Sequence, residues 1–266
     1  MAMYEDLSAI DVLAPVHDII PQLGFVIAED GRIKPGGNWS FQTDTPWINS
    51  KLCGERNCKK WHIYFKHYNM ISRNCFHCWK IVVKPKNLDQ LFMLYDLQTE
   101  YVKKKDALAC KCGIERRPYR THSGWYAGFF YTPFATEPKE AAEHCRDIQH
   151  LVRKKLGDLT EVFLKRACTE FEDDFGPSES WEYPEWAHQR EDLLDSVWDI
   201  PTRPLSEPEM IRTFIKKEWI RWGVSHGDKT ALKYVGNMEH LLGTVTTHYE
   251  LEAKSVDLKA KPRRSV

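Results

Sequence analysis

Side-chain character along the middle of this chain switches between a period of two and a period near 3.6. The run WKIVVKPK is β-branched and bounded by proline, which predicts a strand over 79–86. Asn87 then offers a helix cap with Gln90 three residues on, and 88–104 sets Leu88, Leu91, Phe92, Tyr95 and Leu97 on or near one helical face. A short strand over 108–116, the basic turn RRPYRTHSG and the aromatic strand GWYAGFFYTPF over 124–134 follow. Thr136 caps a second predicted helix, with Ala142, Cys145, Ile148, Leu151 and Val152 at core spacing and Gly157 as its stop; 161–171 reads as a closing strand. The order β-α-β-β-α-β predicts an α+β fold with a ferredoxin-like sandwich, its first and second strands parallel and the third between them.

The flanks are less regular. A helix over 4–20 interrupted by Pro15, a strand over 25–28 and a strand over 61–68 are expected before the sandwich. After it the chain turns acidic and proline-rich, with Trp181, Trp186 and Trp198 embedded. Helices are then predicted over 186–198, over 208–223 with an apolar stripe from Met210 to Ile220, and over 229–242. These shifts divide the chain into a lead-in with a cysteine-rich zinc-knuckle or ribbon module (1–78), the ferredoxin-like core (79–172), an acidic connector (173–207) and a helical C-terminal region with a basic, disordered tail (208–266).

Composition narrows the class. With 266 residues and 42% hydrophobic content the chain can bury a sizeable core, yet no apolar run approaches the ~20 residues that cross a bilayer. The start, MAMYEDLSAI, has neither a basic region nor an apolar one, so the expected setting is the reducing cytoplasm, without a membrane partner. The formal charge of zero is a sum of opposites: residues 51–122 hold sixteen Lys and Arg against six Asp and Glu, +10, and residues 169–210 hold two against thirteen, −11. Such asymmetry points to an anionic partner for the first block, or to the second block as its internal complement.

The cysteines supply the candidate chemistry. Cys53, Cys58, Cys75 and Cys78 stand as Cys-x4-Cys, sixteen residues, Cys-x2-Cys, a spacing that lets two short turns donate two thiolates each to tetrahedral zinc. Cys110 and Cys112 form a third pair, expected to approach the first knuckles and either to replace Cys53 and Cys58 or to bind a second metal with His62, His67 or His77. Four thiolates leave no open position, so the zinc would be structural; an iron–sulfur cluster uses the same ligands and stays an alternative. Cys145 and Cys168 lie in apolar patterns and read as buried free thiols.

The aromatic strand is the second pointer. Period two puts Trp125, Ala127, Phe129 and Tyr131 on one face and Tyr126, Gly128 and Phe130 on the other, with Lys80 and Lys84 opposite Ile81 and Val83 on the first strand. RNA-recognition domains share this topology and stack bases on strand aromatics, although their aromatic and glycine signature is shifted here. Arg116, Arg117, Arg120, Lys80 and Lys84 are therefore the expected phosphate contacts, with Tyr119 and Tyr126 as stacking candidates.

Catalytic signals are thin. No Walker loop, GxGxxG, HExxH, nucleophile elbow or deaminase zinc motif is present, and Glu172, Asp173 and Asp174 are a weak Mg²⁺ candidate. The expectation is a zinc-stabilised protein that binds single-stranded or structured nucleic acid. The alternatives are a protein-binding adaptor or inhibitor whose acidic, tryptophan-bearing block mimics nucleic-acid charge, and an iron–sulfur or other metal-dependent enzyme.

Overall fold

A computed structural model describes residues 9–18, 20–23, 25–36, 46–53, 58–116, 124–133, 136–199 and 209–235. These form a mixed α+β fold around a five-stranded antiparallel sheet. In chain order come α1 (Ala9–Leu13), the hairpin β1 (Phe25–Ile27) and β2 (Ile33–Pro35), β3 (Trp47–Lys51), α2 (Cys58–Tyr68) and α3 (Arg73–Phe76). Next are β4 (Trp79–Lys84), α4 (Leu88–Tyr101), β5 (Ala109–Glu115), β6 (Trp125–Tyr131), α5 (Pro138–Leu156) and β7 (Glu161–Arg166). The chain continues through α6 (Thr169–Phe175), α7 (Ala187–Val197), α8 (Glu209–Ser225) and α9 (Leu232–Val235).

The sheet order is β3-β5-β6-β4-β7. Strand β4 lies between β6 and β7, with Val82 opposite Phe129 on one side and Phe163 on the other. Side-chain alternation gives each strand two duties. Ile81, Val83, Cys110, Cys112, Ile114, Tyr126 and Phe130 pack with Leu88, Leu91 and Leu94 of α4, Ile148 and Val152 of α5, and Trp219 of α8. Helix α4 starts where the sequence predicts: Asn87 Oδ1 accepts from the Gln90 backbone N–H at 3.0 Å, while Gln90 Oε1 accepts from the Lys86 N–H at 2.8 Å. Gly128 lets that helix sit close, because a β-carbon there would stand 2.4 Å from Leu94 Cδ2.

A second core lies elsewhere. Val12, Val16, Ile20, Phe25 and Ile33 join Trp61, Ile63 and Tyr64 of α2, then Phe171 of α6, Trp181, Ala187 and Leu194. Residues far apart in the chain therefore close it. The acidic segment takes part through its charges as well as its rings: Lys60 pairs with Asp195 at 2.6 Å, Arg73 with Asp192 at 2.7 Å, and Tyr64 donates to Asp195 at 2.7 Å.

Several local expectations change. Residues 61–68 are helical, since Trp61, Tyr64, Phe65 and Tyr68 recur at helical spacing and bury one stripe, which outweighs the partial alternation that suggested a strand. The last strand ends at Arg166, where Ala167 takes a left-handed backbone (φ 48°) and Cys168 opens α6. Among the described residues of the expected helix over 4–20, Ala9–Leu13 are α-helical and Ala14–Val16 form a 3-10 turn that contains Pro15, while 4–8 lie outside the described residues. Part of the expected helix over 229–242, and all of the C-terminal tail, lie outside the described residues.

Candidate metal centre and the sheet face beside it

Strand pairing brings cysteines together from three places. Trp79 at the start of β4 is opposite Arg166 at the end of β7, and the Ala167 N–H donates to the Cys78 carbonyl at 2.7 Å. This tie sets Cys168 beside the Cys75–Cys78 turn, itself closed by the Cys78 N–H donating to the Cys75 carbonyl at 3.2 Å. Cys58, the first residue of α2, completes the group. Cys58, Cys75, Cys78 and Cys168 all line one small gap, walled by Trp61, His62, Ala167 and Phe171 and without room for a water molecule.

Electrostatics distinguish these thiols. Burial raises Cys168, but the Lys80 ammonium and a hydrogen bond with His62 outweigh it and bring the thiol down to about 6. Lys80 Nζ stands 3.1 Å from Cys168 Sγ, and His62 Nε2 lies 3.4 Å from Glu170 Oε2. Burial pushes Cys58 up to about 12, with the Cys168 charge adding to it, and lifts Cys75 well above the usual thiol range. Burial also opposes the Lys80 ammonium, yet the Cys168 and Cys78 sulfurs hold its affinity for a proton well above the ordinary lysine value. A cluster of this kind tolerates one thiolate beside one ammonium. A divalent ion would favour ionisation of the rest.

No family model, curated protein or solved structure matches this chain. What the site can do therefore rests on its geometry. Among the described residues no helix is long and apolar enough to cross a membrane. Also among them, no three His, Cys, Asp or Glu side chains already stand in ion-holding geometry, so the four sulfurs border one gap without converging on a point. Binding an ion would draw them inward. Four thiolates are the donor set of a closed tetrahedral zinc site and equally of an iron–sulfur cluster.

The expected ligands divide. Cys58, Cys75 and Cys78 share the gap; Cys53 is half-buried and is not among the residues lining it. Cys110 and Cys112 face the opposite side of the sheet, inside the α4–α5 core, where burial raises Cys110 to about 12. Period two explains this, because they share the apolar face of Ile114 and leave Lys111 to face the other way. His77 is exposed at the protein surface and is not among the gap's lining residues. Cys168, expected to be a buried free thiol, is the fourth cysteine lining the gap.

The sheet face beside the gap carries cations between rings. Lys84 Nζ lies 4.8 Å from the Trp125 ring centroid and 5.0 Å from that of Phe163, and Lys111 Nζ lies 4.6 Å from Trp47 and 5.5 Å from Phe129. All four rings are half-buried. Burial, with Lys80 repelling, lowers Lys111 to about 8 and Lys165 likewise, and Lys165 is ion-paired with Glu172. Of the expected nucleic-acid contacts, Lys84 is on this face and pairs with Glu161 at 2.9 Å. Lys80 shares the face but is buried under Cys168, and Arg116 pairs with Glu218 of α8 at 3.1 Å. Tyr126 lies on the other face, 5% exposed, its hydroxyl donating to Asp228 at 2.8 Å, so it offers no ring for stacking. Arg117, Tyr119 and Arg120 lie outside the described residues.

Proposed function

We propose that this chain is a zinc-stabilised protein of a reducing, cytoplasmic setting that binds single-stranded nucleic acid across one face of its sheet. In this reading β4 to β7 with α4 and α5 form a ferredoxin-like β-α-β-β-α-β sandwich, to which β3 adds an edge strand. Cys58, Cys75, Cys78 and Cys168 would hold one structural zinc. Four thiolates around a dication carry a net charge of −2, which favours a buried ammonium nearby, and Lys80 meets that need.

The observation that carries the binding reading is the interleaving of Lys84 and Lys111 with Trp47, Trp125, Phe129 and Phe163 on one sheet face. Every base offers a π face to such rings, and the ammonium groups suit the backbone between bases. The adaptor alternative has less behind it, since Glu191, Asp192 and Asp195 of the acidic segment are bound within the chain.

Fluorescence anisotropy of a labelled oligothymidylate and an oligouridylate against salt is the test. Affinity should fall linearly on a log–log plot, by about 0.7 per neutralised phosphate, with the slope reduced in Lys84→Gln. Trp125→Ala should weaken binding by roughly 1–3 kcal/mol at every salt concentration. No binding at low salt would remove the nucleic-acid reading.

A further inference from the structure

The segment from Arg73 to Trp79 has two sides. Cys75 and Cys78 line the dry gap, whereas Arg73, Phe76, His77 and Trp79 line an open cavity of about 400 Å3. Tyr183, Arg166 and the start of α5 at Glu137 make its other walls. The volume falls within the range of small-ligand sites.

Its chemistry is mixed in a specific way. Phe76 and Tyr183 meet edge to face at 6.1 Å, and the Arg166 guanidinium lies 4.6 Å from the Trp79 ring centroid. Arg166 Nη1 donates to the Ser178 carbonyl at 2.9 Å, which holds the head in place, while its buried Nε–H has no acceptor among the described residues. Arg73 is braced by Asp192 at 2.7 Å. Cationic heads already ordered by the protein lose little freedom when a ligand arrives. Glu137 stands at the N-cap of α5, yet its carboxylate makes no capping bond to that helix.

A simple anion would face Glu137 without gain, and an uncharged aromatic would make no use of the Arg166 guanidinium on the cavity wall. Rings for a flat group, guanidinium and imidazole for an anion, and one carboxylate for N–H donors fit a nucleobase that carries phosphate. We propose that this cavity binds a nucleoside monophosphate, either free or as the phosphorylated end of a strand. The second source rests on the nucleic-acid reading above; the first does not.

The test uses the full metal-loaded chain. Calorimetry with AMP, GMP and UMP measures the free source; anisotropy with oligothymidylates ending in phosphate at either end, or in hydroxyls, measures the strand source. A phosphate end should tighten binding at least about tenfold, as one charge-assisted hydrogen-bonded pair supplies. Arg166→Gln should remove that difference, and Lys84→Gln should weaken all strands while leaving it intact. Glu137→Gln, at an exposed position, should change the ranking of AMP, GMP and UMP without altering the circular dichroism spectrum, which guards against a misfolded Arg166 variant. Mononucleotide binding without any strand binding would support the cavity and sink the sheet-face reading. Equal binding of phosphate-ended and hydroxyl-ended strands, together with no uptake of mononucleotides, would overturn the cavity and leave that reading standing.

Discussion

Glu191 of α7 is fully buried and holds the Cys75–Cys78 turn from behind. Its Oε1 accepts from the Ser72 hydroxyl, and its Oε2 accepts from the Arg73 backbone N–H at 3.1 Å and from the Tyr183 hydroxyl at 2.6 Å. Ser72 is the N-cap of α3, so this carboxylate fixes the start of the helix that contains Cys75. Glu191→Ala leaves three donors without an acceptor in a buried place, at about 1–3 kcal/mol each, and opens a cavity as well. Because the donors share one partner the losses do not simply add, and a total of about 4 kcal/mol is expected. Glu191→Gln keeps the shape and one acceptor oxygen; a hydroxyl can turn to accept from its amide, so its loss should be about 1–2 kcal/mol. Urea unfolding of the three proteins in excess zinc gives the ranking, and the rate of zinc transfer to a colorimetric chelator should rise in the same order. An alanine variant within about 0.5 kcal/mol of the parent, the range of ordinary surface changes, would mean that Glu191 does not brace this turn.

Cys168→Ser should lower bound zinc measured by elemental analysis, whereas Cys110→Ser, altered on the other face of the sheet, should keep the parent stoichiometry; the opposite pattern would reject the ligand set. Asp228 offers a pH test. Burial alone would raise its carboxyl, but hydrogen bonds from Thr230, Tyr126 and the Leu88 N–H outweigh it and hold it below 3.8. A depressed carboxylate stabilises the fold above its unfolded value and loses that contribution as pH falls through its folded one. Asp228→Asn should therefore cost about 1–3 kcal/mol at neutral pH, with the gap to the parent closing in acid; a gap that stays constant into acid would exclude this account.

Much of the sheet was legible because its signals are local. The cap at Asn87, the stop at Gly157 and the alternation in β4 and β6 need only neighbours a few residues away. The candidate metal site was only partly legible for the opposite reason. Cys-x2-Cys announces itself, but Cys168 has no nearby partner in the chain, and only the antiparallel pairing of β4 with β7 brings it to Cys78. The strand expected over 161–171 hid this, because it placed Cys168 within the last strand, whereas the strand ends at Arg166 and leaves Cys168 just beyond it. Tyr126 shows how a ring can mislead: parity placed it on the apolar face, away from the cations, and its hydroxyl is taken up by Asp228. The role of the acidic segment was hidden by distance, because charge counting cannot tell a solvated face from carboxylates that grip Lys60 and Arg73.

The second core also imposes an order of assembly. Tyr64 waits for Asp195 across 131 residues, and Ser72 for Glu191 across 119. At ribosomal speeds of about 5–20 residues per second, the early segment spends roughly 7–25 s after leaving the tunnel without the neighbours that will cover its rings. Throughout that interval Trp61 and Phe65 present adhesive surface to the cell. A newborn chain with these needs is a natural client for chaperones, and production of the protein should respond to slower, cooler synthesis more than to changes in its central sheet.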